Sequence, residues 1–129
     1  MRVFHSLVYD ENIESTNTAT IDASWNSQLG LPDKLTIFAL TDTVNVASTL
    51  NVQIEESPDQ VHWMNKTGTA GLPELTLALL TTQNTLGVGR DNGTVPSAGF
   101  VRLKLWLVAG SAPKAHVRLW VTGRGEQIP

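Results

Sequence analysis

The chain has 129 residues, with 9 Lys and Arg against 12 Asp and Glu for a net charge of −3, 16% charged and 41% hydrophobic residues, and no cysteine. That apolar share at this length is enough for a buried core and excludes intrinsic disorder, and so few cations exclude a nucleic-acid coat that must neutralise many phosphates. Without disulfides, the fold must rest on burial and hydrogen bonding, and the length predicts a single domain over 1–129.

Helical periodicity is nearly absent. Apolar and polar residues alternate with period 2 between clusters of Gly, Pro, Asn, Asp and Ser, so the predicted elements are strands. The first runs from Arg2 to Tyr9 and gives way to a solvated acidic turn of Asp10, Glu11, Asn12 and Glu14. The second runs from Ala19 to Trp25 with Ile21 and Ala23 on one face, before a loop with Asn26, Ser27, Gly30 and Pro32. The third, Lys34 to Leu40, alternates Leu35, Ile37 and Ala39 against Thr36 and Phe38. The fourth, Ser48 to Glu56, sends Leu50, Val52 and Ile54 inward and Asn51, Gln53 and Glu55 outward.

Ser57-Pro58-Asp59-Gln60 has the chemistry of a turn, since proline presets φ and the aspartate side chain can cap it. The chain returns over Val61 to Asn65, with Trp63 packing the end of the sandwich. Pro73 to Thr82 is a further strand carrying Leu75, Leu77 and Leu79. Residues 83–98 read as a long loop with Gly87, Gly89 and Pro96, inside which Asn92-Gly93 suits a type I′ turn.

The last two strands are Gly99 to Val108 and Ala115 to Thr122. The first places Val101, Leu103, Leu105 and Leu107 inward, and the second places Val117, Leu119 and Val121 inward. About eight short strands at roughly ten-residue spacing predict an all-β fold, an antiparallel β-sandwich of jelly-roll type.

Chemistry has little to work with. His5, His62 and His116 lie far apart in sequence with no metal-ligand spacing, and no strained Gly-x-Ser-x-Gly elbow is present. Glu55 and Glu56 are adjacent on a strand and point to opposite faces. The expectation is a non-enzyme without cofactor or metal.

The outward residues of the last two strands are the candidate contact set: Arg102, Lys104 and Trp106 on one, His116, Arg118 and Trp120 on the other. If Ala109 to Pro113 closes a hairpin, Trp106 faces His116, Lys104 faces Arg118 and Arg102 faces Trp120. Two adjacent cations between tryptophans want a partner. Sugar rings with acidic groups, stacked bases with phosphates, another subunit, or the chain's own acidic N-terminal segment would each supply one.

Charge is sorted along the chain. Residues 1–60 hold nine acids and two bases, and residues 61–129 hold three acids and seven bases. Either the halves interleave and the charges mix, or an acidic and a basic face complement one another between copies. Charge is also sparse: residues 15–50 carry only Asp22, Asp33, Lys34 and Asp42, and residues 67–89 only Glu74. Such strands suit surfaces that become buried on assembly.

The segment Leu50 to Trp63, with its alternating strand, Ser57-Pro58-Asp59 and a Trp four residues after the Asp, carries a resemblance. With Gly99-Phe100-Val101-Arg102-Leu103 and Val117-Arg118-Leu119-Trp120-Val121-Thr122-Gly123, it resembles the second half of discoidin-type, galactose-binding-like jelly rolls. It is equally similar to small β-sandwich proteins of tailed-bacteriophage virions. Gln60 replaces the usual glycine after the aspartate, and the cysteines of secreted discoidin domains are missing, so no binding residue is carried over. With no apolar leader after Met1-Arg2-Val3-Phe4-His5, the chain fits the virion branch better.

That resemblance implies a structural virion protein, a capsid decoration or cementing protein made in the host cytoplasm. It would form a homo-oligomer and pack on a capsid or other virion protein, without direct contact with nucleic acid or membrane. The alternative is a carbohydrate-binding module that stacks a glycan on Trp106 and Trp120.

Overall fold

The computed structural model describes residues 2–14, 18–21, 32–65, 74–81, 84–90, 100–108 and 112–125. All their regular structure is strand: β1 (Arg2–Glu14), β2 (Ala19–Ile21), β3 (Pro32–Asp42), β4 (Ser48–Ser57), β5 (Met64–Asn65), β6 (Leu75–Leu79), β7 (Thr85–Arg90), β8 (Phe100–Val108) and β9 (Lys114–Gly125). One sheet has the order β1-β9-β3-β7. The other has β2-β8-β4, and β6 and β5 share the far edge of β4, along Ser48–Val52 and Glu55–Glu56 respectively.

With β5 and β6 counted as one edge position, each sheet is four strands wide. β1 pairs with β9, β2 with β8, β3 with β7 and β4 with β6, all antiparallel. The chain is therefore doubled back on itself and wrapped, and apart from β4, β5 and β6, which share one sheet, consecutive strands fall in alternate sheets. This is the jelly-roll sandwich.

Alternation fills the core as predicted: Ile37 and Ala39, Leu50, Val52 and Ile54, Leu103, Leu105 and Leu107, and Val117, Leu119 and Val121 are all buried. The predicted final hairpin does not form. β8 pairs with β2 and β4, and β9 pairs with β1 and β3, so Trp106 does not face His116, Lys104 does not face Arg118, and Arg102 does not face Trp120. Period-2 alternation cannot separate the two arrangements, because the inner faces of both sheets meet one core. The far end of the β8–β9 connection is clamped to the β3–β4 loop. Asn45 donates through Nδ2 to the Ala112 carbonyl (3.1 Å) and accepts the Lys114 N–H at Oδ1 (2.7 Å).

Three elements differ from their predicted form. The acidic turn is strand: β1 passes Tyr9, shifts register between Leu7 and Tyr9, and continues to Glu14 with Ile13 buried. Residues 85–90, predicted as loop, are β7. Gly87 and Gly89 lie where edge strand β6 closes over β7. A Cβ on Gly89 would lie 2.6 Å from both the Glu74 carbonyl oxygen and Leu75 Cβ, and one on Gly87 would lie 2.7 Å from Leu77 Cδ1. The returning segment Val61 to Asn65 is strand only at Met64–Asn65. Ala23, Trp25 and Asn92-Gly93 lie outside the described residues.

Between β6 and β5 the edge of β4 has no neighbouring strand among the described residues. Glu74 fills the gap: its Oε2 accepts the Ile54 N–H at 2.6 Å, replacing a strand carbonyl.

Candidate functional site

The six predicted contact residues divide between the two outer faces of the sandwich. His116, Arg118 and Trp120 lie on the outside of the β1-β9-β3-β7 sheet, and Arg102, Lys104 and Trp106 lie on the outside of the other.

On the first face, register aligns two rows across all four strands. One is Leu7, Trp120, Phe38 and Val88, and the next is Asp10, Arg118, Leu40 and Leu86. Leu7 and Val88 are 49% and 45% exposed, and Leu86 is 68% exposed. Trp120, Phe38 and Leu40 are half-buried beside them. An apolar band thus crosses the sheet from edge to edge.

Its polar border is internally paired. Asp10 Oδ1 lies 2.6 Å from His116 Nε2 and 3.4 Å from Arg118 Nε, and Asn12 Oδ1 lies 3.1 Å from His116 Nδ1. Glu14 meets Lys114 at 3.6 Å. The acidic N-terminal strand therefore pairs with His116 and Arg118, while Trp120 belongs to the apolar band. These contacts, with Glu55–Arg102, join acids of the first half to bases of the second. The charge sorted along the sequence is met within one molecule by interleaved strands.

On the second face, β4 runs between β8 and the β5/β6 edge. Its outward Asn51, Gln53 and Glu55 are nearly buried at 8%, 3% and 8% exposure. Their cross-strand neighbours on β8 are Trp106, Lys104 and Arg102. Arg102 Nε donates to Glu55 Oε1 at 2.8 Å, and its guanidinium carbon lies 4.3 Å from the Trp63 ring centroid. Trp63, expected only to pack the sandwich end, therefore extends this face. Glu55, set aside in sequence as half of a non-cooperating Glu-Glu pair, is the acid that neutralises Arg102. Thr76 Oγ1 donates to Asn51 Oδ1 at 3.2 Å. Lys104 sits between Thr20 on β2 and Gln53 on β4, with Nζ 5.7 Å from the Trp106 ring centroid.

The turn that delivers Trp63 brings Ser57, Asp59 and His62 together, the residue types of a hydrolytic triad. Their order rules out that use. Asp59 sits in the middle: the buried Ser57 donates to Asp59 Oδ1 (3.0 Å), and His62 Nδ1 lies 2.6 Å from Asp59 Oδ2. A nucleophilic serine needs the histidine beside it instead.

Asp59 Oδ1 also accepts the Val61 and His62 N–H groups, each at 2.8 Å, and Ser57 Oγ accepts those of Asp59 and Gln60. The His62 N–H, then the His62 ring and the Val61 N–H, hold the Asp59 carboxyl well below the usual carboxylate range. The cluster is turn-building chemistry. Among the described residues no three His, Asp or Glu side chains converge as metal ligands, and no helix is long and apolar enough to cross a membrane.

No protein-family model matches the chain, and no curated protein matches it in sequence. Solved structures match in fold. The CBM22-2 xylan-binding domain of Paenibacillus barcinonensis Xyn10C is similar at a TM-score of 0.57 and 10% identity, covering 94% of this chain and 87% of its own. The CBM22-1–GH10 modules of Clostridium thermocellum endo-1,4-beta-D-xylanase 10B, complexed with xylohexaose, match at 0.53 and 6%, over 95% of this chain and 29% of theirs. The structure of infectious bursal disease virus Gx strain matches at 0.48 and 19%, over 99% of this chain and 34% of its own. What this chain shares with the two CBM22 structures is the sandwich fold.

Proposed function

We propose that this chain is a non-enzymatic structural protein that works by self-association, as a decoration or cementing subunit of a virion shell. The observation that carries it is the apolar band Leu7–Trp120–Phe38–Val88, extended by Leu40 and Leu86 across every strand of one sheet. Contiguous exposed apolar surface of this kind is kept off monomer surfaces unless something docks there, and buried Trp is a typical contact anchor. Arg118 and His116 serve as a polar rim already satisfied by Asp10.

Sedimentation equilibrium from about 1 μM to about 1 mM, which brackets contact affinities in that range, is the test. The wild-type chain is expected to assemble as concentration rises. Val88→Lys, which places charge in the band at an exposed edge strand, is expected to stay monomeric with an unchanged circular-dichroism spectrum. A wild-type monomer throughout would sink the reading. The decoration role is tested separately, by adding the chain to undecorated phage shells and measuring their melting temperature, which should rise.

A second reading, polysaccharide binding, uses the opposite face. Trp106 beside Lys104, both half-buried on the outer side of this sheet, favours it, and the similar CBM22 domain is named for binding xylan. Trp106→Ala should abolish retention of the chain in polysaccharide-containing gels and leave the fold intact. Trp120, on the other sheet, takes no part.

A further inference from the structure

Three charged side chains occupy the centre of the Trp106 face: Glu55, Arg102 and Lys104. Glu55 is spent on Arg102, whose guanidinium also lies over Trp63. Among the described residues no carboxylate meets Lys104. Its cross-strand neighbours Thr20 and Gln53 are uncharged, and the 5.7 Å from Nζ to the Trp106 centroid is near the outer limit, about 6 Å, of a cation–π contact. The side chain is half-buried on β8, with β2 on one side and β4 on the other, so its stem is held between strands while its charge meets no anion among the described residues.

The surroundings narrow the kind of anion. An acidic peptide would dock by adding a strand to a sheet edge, and β8 has both edges taken. A nucleic acid needs several cations for its phosphates, against a net charge here of −3. A flat indole beside a fixed ammonium suits a pyranose ring that carries its own carboxylate, with the ring on Trp106 and the carboxylate on Nζ.

We infer that this face takes an acidic polysaccharide, with Lys104 pairing a uronate carboxylate and Trp106 stacking the adjoining sugar ring; the inference rests on the polysaccharide-binding reading above. Gln53 and Asn51, held nearly buried beneath, form the polar floor of the strip.

The test is affinity electrophoresis of the full chain in gels containing polygalacturonate or glucuronoxylan, each compared with the same polymer after its carboxylates are esterified. A polyphosphate gel is the anion control. Retention is expected in the acid polymers, with at least about a tenfold loss of affinity on esterification, the worth of one charge-assisted hydrogen bond. Lys104→Met should reproduce that loss, Lys104→Arg should restore it, and Lys114→Met, on the other sheet, should change nothing. Retention by neither the acid nor the esterified polymers removes the polysaccharide reading together with this one. Equal retention of acid and esterified polymers, unaffected by Lys104→Met, overturns the uronate assignment and leaves sugar binding standing. Equal retention by polyphosphate overturns it as simple anion exchange.

Discussion

Gln60 holds a backbone φ of 65°, in the left-handed region where a side chain is strained and glycine is not. The strain is forced locally: the N–H of Gln60 must reach Ser57 Oγ, and the next two N–H groups must reach Asp59. The left-handed conformation costs an L-residue about 1 kcal/mol, and glycine's looser unfolded chain returns part of that. Gln60→Gly should therefore stabilise by about 0.5 kcal/mol and raise the melting temperature by about 2 °C. A drop in melting temperature would show that the glutamine side chain contributes something the backbone does not reveal.

The same turn sets an acid limb. Asp59's folded pKa lies below its ordinary value of 3.8, so its contribution to stability is complete above that value and lost as pH falls below it. Asp59→Asn keeps an acceptor but removes the titration. Between about pH 5 and about pH 2.5, the wild-type melting temperature should fall more steeply than that of Asp59→Asn.

At the scale of elements, the edge where β6 meets β7 sets the sharpest contrast. Alanine at Gly89 drives a Cβ into the Glu74 carbonyl and Leu75, which are backbone and core and cannot give way. At Gly87 the clash is with the end of Leu77, a half-buried side chain that can swing. Denaturant unfolding should show Gly89→Ala destabilised by about 2–3 kcal/mol and Gly87→Ala by about 1 kcal/mol or less. Glu74→Leu, which leaves the Ile54 N–H buried without an acceptor, should cost about 1–3 kcal/mol, and Glu74→Gln should cost less because an acceptor oxygen remains.

These positions also mark where sequence stops being legible. The inward leucines, valines and isoleucines of β3, β4, β8 and β9 were readable because alternation reports which side chains share the core. Glycines at 87 and 89 carry the signal of a loop, yet here their missing Cβ atoms admit a strand from the other sheet, a long-range contact no local pattern encodes. The continuation of β1 was hidden for a related reason. Asp10 and Asn12 look solvated until Arg118 and His116 are known to lie beside them. Likewise the six candidate residues do lie on outward faces, but which sheet each strand joins is decided by wrapping. The set therefore divided into an apolar band around Trp120 and a polar strip around Trp106.

That division has a consequence for the whole molecule. If two copies meet through the outer face of the β1-β9-β3-β7 sheet, the Trp106 faces of the pair lie back to back, pointing away from one another across two sandwiches. Each sandwich has a core about 10 Å thick between its sheets. One polysaccharide strand cannot occupy both faces, but two strands can be held by one assembly. Linking sites in this way converts single-site affinity into cross-linking without any new contact. The wild-type chain should therefore raise the turbidity of an acidic polysaccharide solution at concentrations where it self-associates. Val88→Lys should still be retained in the gel through its single Trp106 face and yet produce no turbidity. Lys104→Met should assemble normally and produce none either. The two substitutions lie on opposite faces with no shared contacts, so the double variant should show the sum of the single changes in stability to within about 0.5 kcal/mol. Turbidity from Val88→Lys would mean that a single sandwich already holds two polysaccharide strands, and the division of labour between its faces would then be wrong.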